Sequence, residues 1–420
     1  MQTNKGYIFM ALNIGSFSDP EVQKCPFPFI RKLHEEAPVY HDPVSGFVVV
    51  SRYDDIAFVN LHPELFSNRT DIVLGPTSGP DAEQVRCLYA REHGFERFHT
   101  LVTNDPPDHT RYRAIVDKVF TPSFVKGLES YISALVDEII DGFIGAGEVD
   151  LLDEFCIRLP MYVISDQLGV PRSDWRKIKR WSDVNISLIN PSLLIEERLA
   201  LCEEQIGLQK YLASVRMKYL AEPGESYFSR LAHAEVEGDQ LTEAQFVNVA
   251  EQLLVAGNET TTNGIAHGVV CALRQPELLN EIKSEPLLIT NYVEEILRLH
   301  APSPHLYRKA VEDSELGSVK IKKGEIVLLS YLAGNYDPSR YENPERIDLK
   351  RTGVKNHLAF GRGIHFCVGN QLARSEMRIS LARLFARLQN LRFSPNFEEP
   401  GIAPIYHVHA VDSLHVRFDP

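Results

Sequence analysis

Phe360-Gly361-Arg362-Gly363-Ile364-His365-Phe366-Cys367-Val368-Gly369 sets one cysteine among three glycines and two phenylalanines. The run Asn370-Gln371-Leu372-Ala373-Arg374 follows it and reads as a helix start. Glycines allow turns that side chains forbid and let the backbone approach a large planar ligand. Turn amides and the positive end of the following helix stabilise a sulfur anion. Aromatic rings screen that sulfur from water and tune its basicity. The arrangement suits a thiolate bound to a flat metal macrocycle.

The segment closely resembles the haem-ligand loop of the cytochrome P-450 superfamily, the haem-thiolate monooxygenases. Phe360, Gly361, Gly363, His365, Cys367 and Gly369 stand in the order of that family's loop. The resemblance implies haem b as cofactor with Cys367 as its axial metal ligand. It also implies a mainly α fold with a small β region, in which a long central helix lies over the haem and the cysteine loop beneath it. It covers the chain from about residue 20 to the C-terminus, so the expectation is a tail over 1–20 and one catalytic domain over 21–420.

Working outward, the composition agrees with such a protein. The sequence is 44% hydrophobic and 24% charged, ordinary for a globular chain. Lys plus Arg number 44 against 57 Asp plus Glu, a net charge of −13, which disfavours nucleic acid as a general partner. The six cysteines form no CxxC pair and no regular framework, so a reducing, cytoplasmic compartment is expected. The apolar run Tyr7–Leu12 is far shorter than the ~20 residues of a membrane span, so no membrane anchor is expected.

Helical patterns are predicted over Phe29–Glu36, Arg52–His62, much of Pro107–Gly238 (punctuated by Pro171 and Pro191) and Leu287–His300. A hairpin is predicted where Val39-Tyr40-His41 and Phe47-Val48-Val49-Val50 flank a Gly-containing turn. Short strands are predicted at Val319–Ile321 and Glu325–Ser330. Residues 68–104 show no sustained periodicity and read as one long functional loop. Thr242-Glu243-Ala244-Gln245 has capping-box form and opens a pattern reaching Gln275, a helix ~50 Å long.

Within that helix, Ala256-Gly257-Asn258-Glu259-Thr260-Thr261-Thr262 combines a glycine with three threonines, all mediocre helix formers. The Thr260 hydroxyl can bond back to the Ala256 carbonyl, and an opened turn is expected there. Cleaving an O–O bond heterolytically takes two protons, so a hydroxyl beside a carboxylate is the pair required. Glu259 and Thr260 resemble the family's acid–alcohol pair and are the expected catalytic residues, with O2 as co-substrate. Ala256 is expected against the haem.

Glu295 and Arg298 are three apart on one helix face and match the family's Glu-x-x-Arg. Asn343-Pro344-Glu345-Arg346 resembles the segment that supplies a second arginine, so Arg346 is expected in the same network, although Ile347 stands where the family has an aromatic. Haem carries two propionates, whose burial demands cationic donors. By resemblance, His109, Arg113, Arg308 and His365 are those donors, with Phe360 and Gly361 contributing loop contacts. The substrate pocket is expected to draw on Leu253, Ala256, His305 and Ile405. Arg86, Arg91, His93, Arg97 and His99 are expected to face water.

The resemblance implies insertion of one oxygen atom from O2 into a C–H bond of a medium-sized hydrophobic substrate. The chain has no flavin or nicotinamide fingerprint, so electrons are expected from NAD(P)H through a separate ferredoxin and ferredoxin reductase. Arg111, Lys118, Arg362, Arg374 and Arg378 are the expected ferredoxin face. Two alternatives stand beside this: a peroxide-driven or non-oxygenating haem-thiolate enzyme, and a non-catalytic haem-binding or gas-sensing protein.

Overall fold

The computed structural model describes residues 15–75, 79–190 and 193–419; most of the expected tail, the Tyr7–Leu12 run and Pro191 lie outside them. Thr242 begins the element around which the others pack. Its hydroxyl accepts from the Gln245 amide at 3.3 Å, and Gln245 Oε1 accepts from the Thr242 amide at 3.0 Å. This reciprocal cap satisfies amides that a helix start otherwise leaves unpaired. The helix runs Glu243–Arg274 without a break, so the opened turn expected at Ala256–Thr260 is absent. The Thr260 hydroxyl does bond the Ala256 carbonyl at 2.7 Å, a local adjustment that leaves the ladder intact.

Every residue from Thr261 to Ala272 is buried, which requires neighbours on all sides. Those neighbours include helices Arg158–Leu168, Trp175–Leu188, Ile195–Ala221, Ile289–Leu299 and Asn370–Arg387. Gly264 and Gly268 let the last of these come close. A methyl on Gly268 would sit 2.6 Å from Leu381, and one on Gly264 2.8 Å from the Met377 sulfur. Overpacking of that kind costs about 1–3 kcal/mol. The central helix is thus pressed against the helix that leaves the cysteine loop.

A five-stranded sheet forms the β region, in the order Val39–His41, Val48–Val50, Ile326–Ser330, His305–Ala310, Phe66–Ser67. The first two strands pair antiparallel, Val39 opposite Val50, as the hairpin reading predicts. A three-stranded sheet joins Gln389–Phe393, His415–Asp419 and Glu148–Asp150. The sequence expectation for 68–104 fails in part, because helices Asp71–Leu74 and Gly79–Arg91 occupy it. Ala82, Leu88 and Tyr89 are buried there, and that packing overrides a weak local pattern. Phe17, within the expected tail, is also buried, against Phe29 and His305. Among the described residues no helix is long and apolar enough to cross a membrane.

Candidate active site

The cysteine loop is held by its own backbone. The Cys367 amide donates to the Phe360 carbonyl at 2.9 Å, and the Gly361 amide to the Leu358 carbonyl at 2.8 Å. Gly363 has φ +69°, and a Cβ there would lie 2.5 Å from the Asn60 carbonyl oxygen. Only glycine meets both conditions. Helix Asn370–Arg387 starts directly after the loop, and the Gly369 and Asn370 amides point at the Cys367 sulfur. Burial pushes this thiol up, while those amides and the charges of Arg113 and Arg374 pull it back down. The site therefore offers the thiolate compensation that burial alone would deny it.

Two buried ionic networks brace the loop. In the first, Arg298 Nε and Nη2 meet both oxygens of Glu295 at 2.8 and 3.0 Å, with neither side chain exposed. The remaining Arg298 donors go to the carbonyls of Asn335, Pro344 and Arg346, so the guanidinium is fully satisfied. The second guanidinium is that of Arg351, whose Nε lies 3.0 Å from Glu295 Oε1. This corrects the sequence expectation: Arg346 contributes its carbonyl, not its charge. With Ile347 in an aromatic position, the segment brings the arginine five residues beyond Arg346 against Glu295.

The second network was not anticipated. Glu294, adjacent to Glu295, accepts from Arg374 at 2.8 and 3.1 Å and from His357 Nε2 at 3.0 Å. Arg374 also lies over the Phe360 ring, 4.4 Å from its centre. Burial raises the Glu294 carboxyl, but His357 and Arg374 outweigh it and hold the group down to about 2. Burial keeps His357 itself neutral, so the ion pair is Arg374 with Glu294 and His357 adds a neutral donor.

On the other side of the loop, four cationic or imidazole groups converge. The His109 and His365 rings are 4.2 Å apart. Arg113 Nη1 donates to the Phe366 carbonyl at 2.6 Å while its Nε meets Asp117 at 2.9 Å. Arg308 is buried, with Nη2 2.7 Å from Asn60 Oδ1. Burial, followed by the fields of Arg308, His109 and Arg113, pushes His365 down to about 2. His109 Nδ1 and His365 Nε2 are buried without hydrogen-bond partners. Orphaned donors beside two arginines make a ready site for buried anionic oxygens.

Ala256 and Gly257 form an exposed turn of the central helix between its buried stretches Phe246–Glu251 and Thr261–Ala272, and a methyl on Gly257 would meet nothing within 4 Å. Thr260 flanks this opening. Glu259 lies mostly buried with Oε1 2.7 Å from Lys179 Nζ, and Lys179 also binds Asp183. Burial raises the Glu259 carboxyl despite Lys179. Lys179, on helix Trp175–Leu188, was invisible as a partner because 80 residues separate it from Glu259.

The family model described as Cytochrome P450 matches residues 149–403. The putative cytochrome P450 YjiB of Bacillus subtilis is 34% identical over 400 residues, covering 93% of each chain. The chain belongs to the cytochrome P450 family. Among solved structures, cytochrome P450 CYP109Q5 from Chondromyces apiculatus superposes with TM-score 0.84 at 31% identity, covering 96% of this chain and 97% of that one. CYP109E1 from Bacillus megaterium, in complex with testosterone, gives TM-score 0.80 at 31% identity, covering 94% of this chain and 99% of that one. The chain is thus a P450 monooxygenase by family, and the family implies a haem-thiolate cofactor.

The residues present fit that cofactor: a sulfur with two amides aimed at it, orphaned imidazole nitrogens beside Arg113 and Arg308, and an open helix turn at Gly257. Of the expected pocket residues, Leu253 is half-buried and Ile405 exposed, but His305 is buried against Phe17 and Tyr406. Arg86, Arg91 and His93 face water as expected. Arg97 and His99 are half-buried instead. Burial raises the Glu251 carboxyl, with the Arg97 charge and the side-chain amides of Gln205 and Gln209 opposing it. On the cysteine side, Arg111 is tied to Asp239, Arg362 to Tyr53, Arg374 to Glu294 and Arg378 to Glu129. The expected ferredoxin face therefore carries fewer free cations than its sequence suggests.

Proposed function

We propose that this P450 inserts one oxygen atom of O2 into a C–H bond of a medium-sized hydrophobic molecule, with electrons from NAD(P)H through ferredoxin reductase and ferredoxin. The observation that carries the reading is the Cys367 sulfur, met by the Gly369 and Asn370 amides at the start of helix Asn370–Arg387. When bound, haem supplies thiolate-supported oxygen activation. Cys367 would hold its iron, His109, Arg113, Arg308 and His365 would hold its propionates, and Phe360, Gly361 and Ala256 would line its site. Glu295, Arg298 and Arg351 keep the loop in place.

Thr260 and Glu259 move protons. The Thr260 hydroxyl, by releasing the Ala256 carbonyl, donates a hydrogen bond beside the open Gly257 turn. Glu259, its carboxyl raised by burial, holds a proton closer to neutral pH than a surface glutamate and passes it inward from the Lys179 side. The testosterone complex of CYP109E1 supports a substrate of steroid size. All six cysteines are free, which supports a cytoplasmic setting.

The test is reconstitution with a ferredoxin, its reductase and NAD(P)H against steroid, terpenoid, aromatic-acid and fatty-acid panels. A spin-state shift identifies binders, and product from 18O2 should carry one labelled atom. Turnover with hydrogen peroxide alone, or no substrate-dependent oxygen consumption across the panels, would overturn the proposal.

A further inference from the structure

About 10 Å along the central helix from Thr260, at 1.5 Å per residue, three histidines and a cysteine meet away from the cysteine loop. His267 and Cys271 are four apart and share one helix face. His300 follows the end of helix Ile289–Leu299. His409 lies in the returning chain before Val411, where its amide donates to the Pro302 carbonyl at 2.9 Å. One ligand atom from each histidine lies within 4.8 Å of the other two. The Cys271 sulfur stands 3.2 Å from His300 Nε2. The rings of His267 and His300 stack at 4.5 Å, and those of His267 and His409 lie 4.7 Å apart.

The hydrogen-bond inventory of this cluster does not close. His409 is 3% exposed, yet among the described residues neither of its ring nitrogens has a partner, and His300 Nδ1 is buried and unpartnered as well. Three orphaned nitrogens in one buried cluster are costly, at ~1–3 kcal/mol each. His267 is different: its Nε2 sits 2.9 Å from the His409 carbonyl, which fixes the proton there and leaves the Nδ1 lone pair free.

We propose that His267, His300 and His409 form a binding site for one zinc ion, with Cys271, beside His300, turning in as its fourth ligand. Three imidazoles and a thiolate are a donor set that zinc favours over magnesium or calcium. Ring nitrogens within 4.8 Å of one another must close to about 3.4 Å to meet Zn–N bonds of ~2.0–2.1 Å in a tetrahedron, which requires the stacked His267 and His300 rings to turn and the Cys271 sulfur to approach the other two. On binding, Cys271 loses its thiol proton to solvent and forms the Zn–S bond, without any redox change. The ion would clamp the central helix, the end of helix Ile289–Leu299 and the segment continuing from Ile405. It would therefore stiffen a wall of the proposed pocket.

The test uses the haem-loaded protein, so that Cys367 is not an open metal ligand. After chelator treatment, zinc is returned and counted by elemental analysis, and its coordination is read by zinc-edge X-ray absorption. The expected result is one zinc per chain, with about three nitrogens at ~2.0–2.1 Å and one sulfur at ~2.3 Å. Zinc should raise the melting midpoint by a few degrees. His409→Ala should lower affinity at least tenfold. Cys271→Ser, a nearly isosteric change chosen in case His409→Ala does not fold, should remove the sulfur shell while the reduced carbon monoxide spectrum stays thiolate-type. Substoichiometric zinc in the wild type, a coordination shell without sulfur, or unaltered zinc binding by Cys271→Ser would overturn the proposal.

Discussion

Replacing Glu294 by Gln removes one charge and almost no volume, so its consequence can be worked from the network around it. In the folded protein the Glu294 carboxyl is held down to about 2 from an ordinary 4.5, and the side chain is 2% exposed. At ~1.4 kcal/mol per pH unit, the ionised group contributes about 3 kcal/mol at neutral pH. Independently, stripping one partner from a buried ion pair costs about 3–5 kcal/mol, because Arg374 is left charged and unpaired. The two routes agree in size.

The pH dependence fixes the sign. A carboxyl depressed on folding stabilises fully above its unfolded value, and that stability is lost as pH falls from 4.5 towards 2. The wild-type advantage over Glu294→Gln should thus be about 3 kcal/mol at pH 7 and about 1 kcal/mol at pH 3. Urea unfolding of the haem-loaded proteins, followed by far-ultraviolet circular dichroism at several pH values, measures it. Since Arg374 also covers Phe360, the variant should shift the reduced carbon monoxide complex towards a non-thiolate spectrum. A difference below about 0.5 kcal/mol at pH 7, or a gap that stays constant down to pH 3, would refute the reasoning.

Arg351→Met should destabilise by about 3–5 kcal/mol and reduce thiolate-bound haem, whereas Arg346→Met, whose carbonyl remains, should stay within about 1 kcal/mol of wild type; denaturation midpoints and haem content of the two decide the register. Thr260→Ala should keep haem and substrate binding, but product per NAD(P)H should fall while hydrogen peroxide rises, and a fully coupled variant would make Thr260 a packing residue. Reduction by an acidic ferredoxin should slow with added salt, since charges at a polar rim are screened within ~8–10 Å. Arg378→Glu, facing Glu129 in an exposed pair, should raise the ferredoxin concentration for half-maximal reduction several-fold, and stopped-flow traces with neither effect would remove that face from the docking surface.

What the sequence discloses and what it hides divide along a physical line. The cysteine loop is legible because its constraints are local: Gly363 must be glycine for its own φ and for the Asn60 carbonyl, and the amides that meet the sulfur lie two and three residues on. The capping box at Thr242 and the hairpin at Val39–Val50 are legible for the same reason. Charges buried by tertiary packing are not. Glu259 and Glu294 look like surface acids on amphipathic helices, and nothing near them in the chain announces Lys179 or Arg374 as counter-ions. Burying each acid creates a demand that only a distant cation satisfies, and the choice of cation is settled by packing. That demand also explains why Arg351 rather than Arg346 serves Glu295. The charged residues that read as a docking face were assigned by their position along the chain, yet Arg374 is committed to Glu294 inside the molecule. A cation on a helix near a functional loop is therefore better read first as the missing partner of a buried acid, and only when every acid is accounted for as an invitation to another protein.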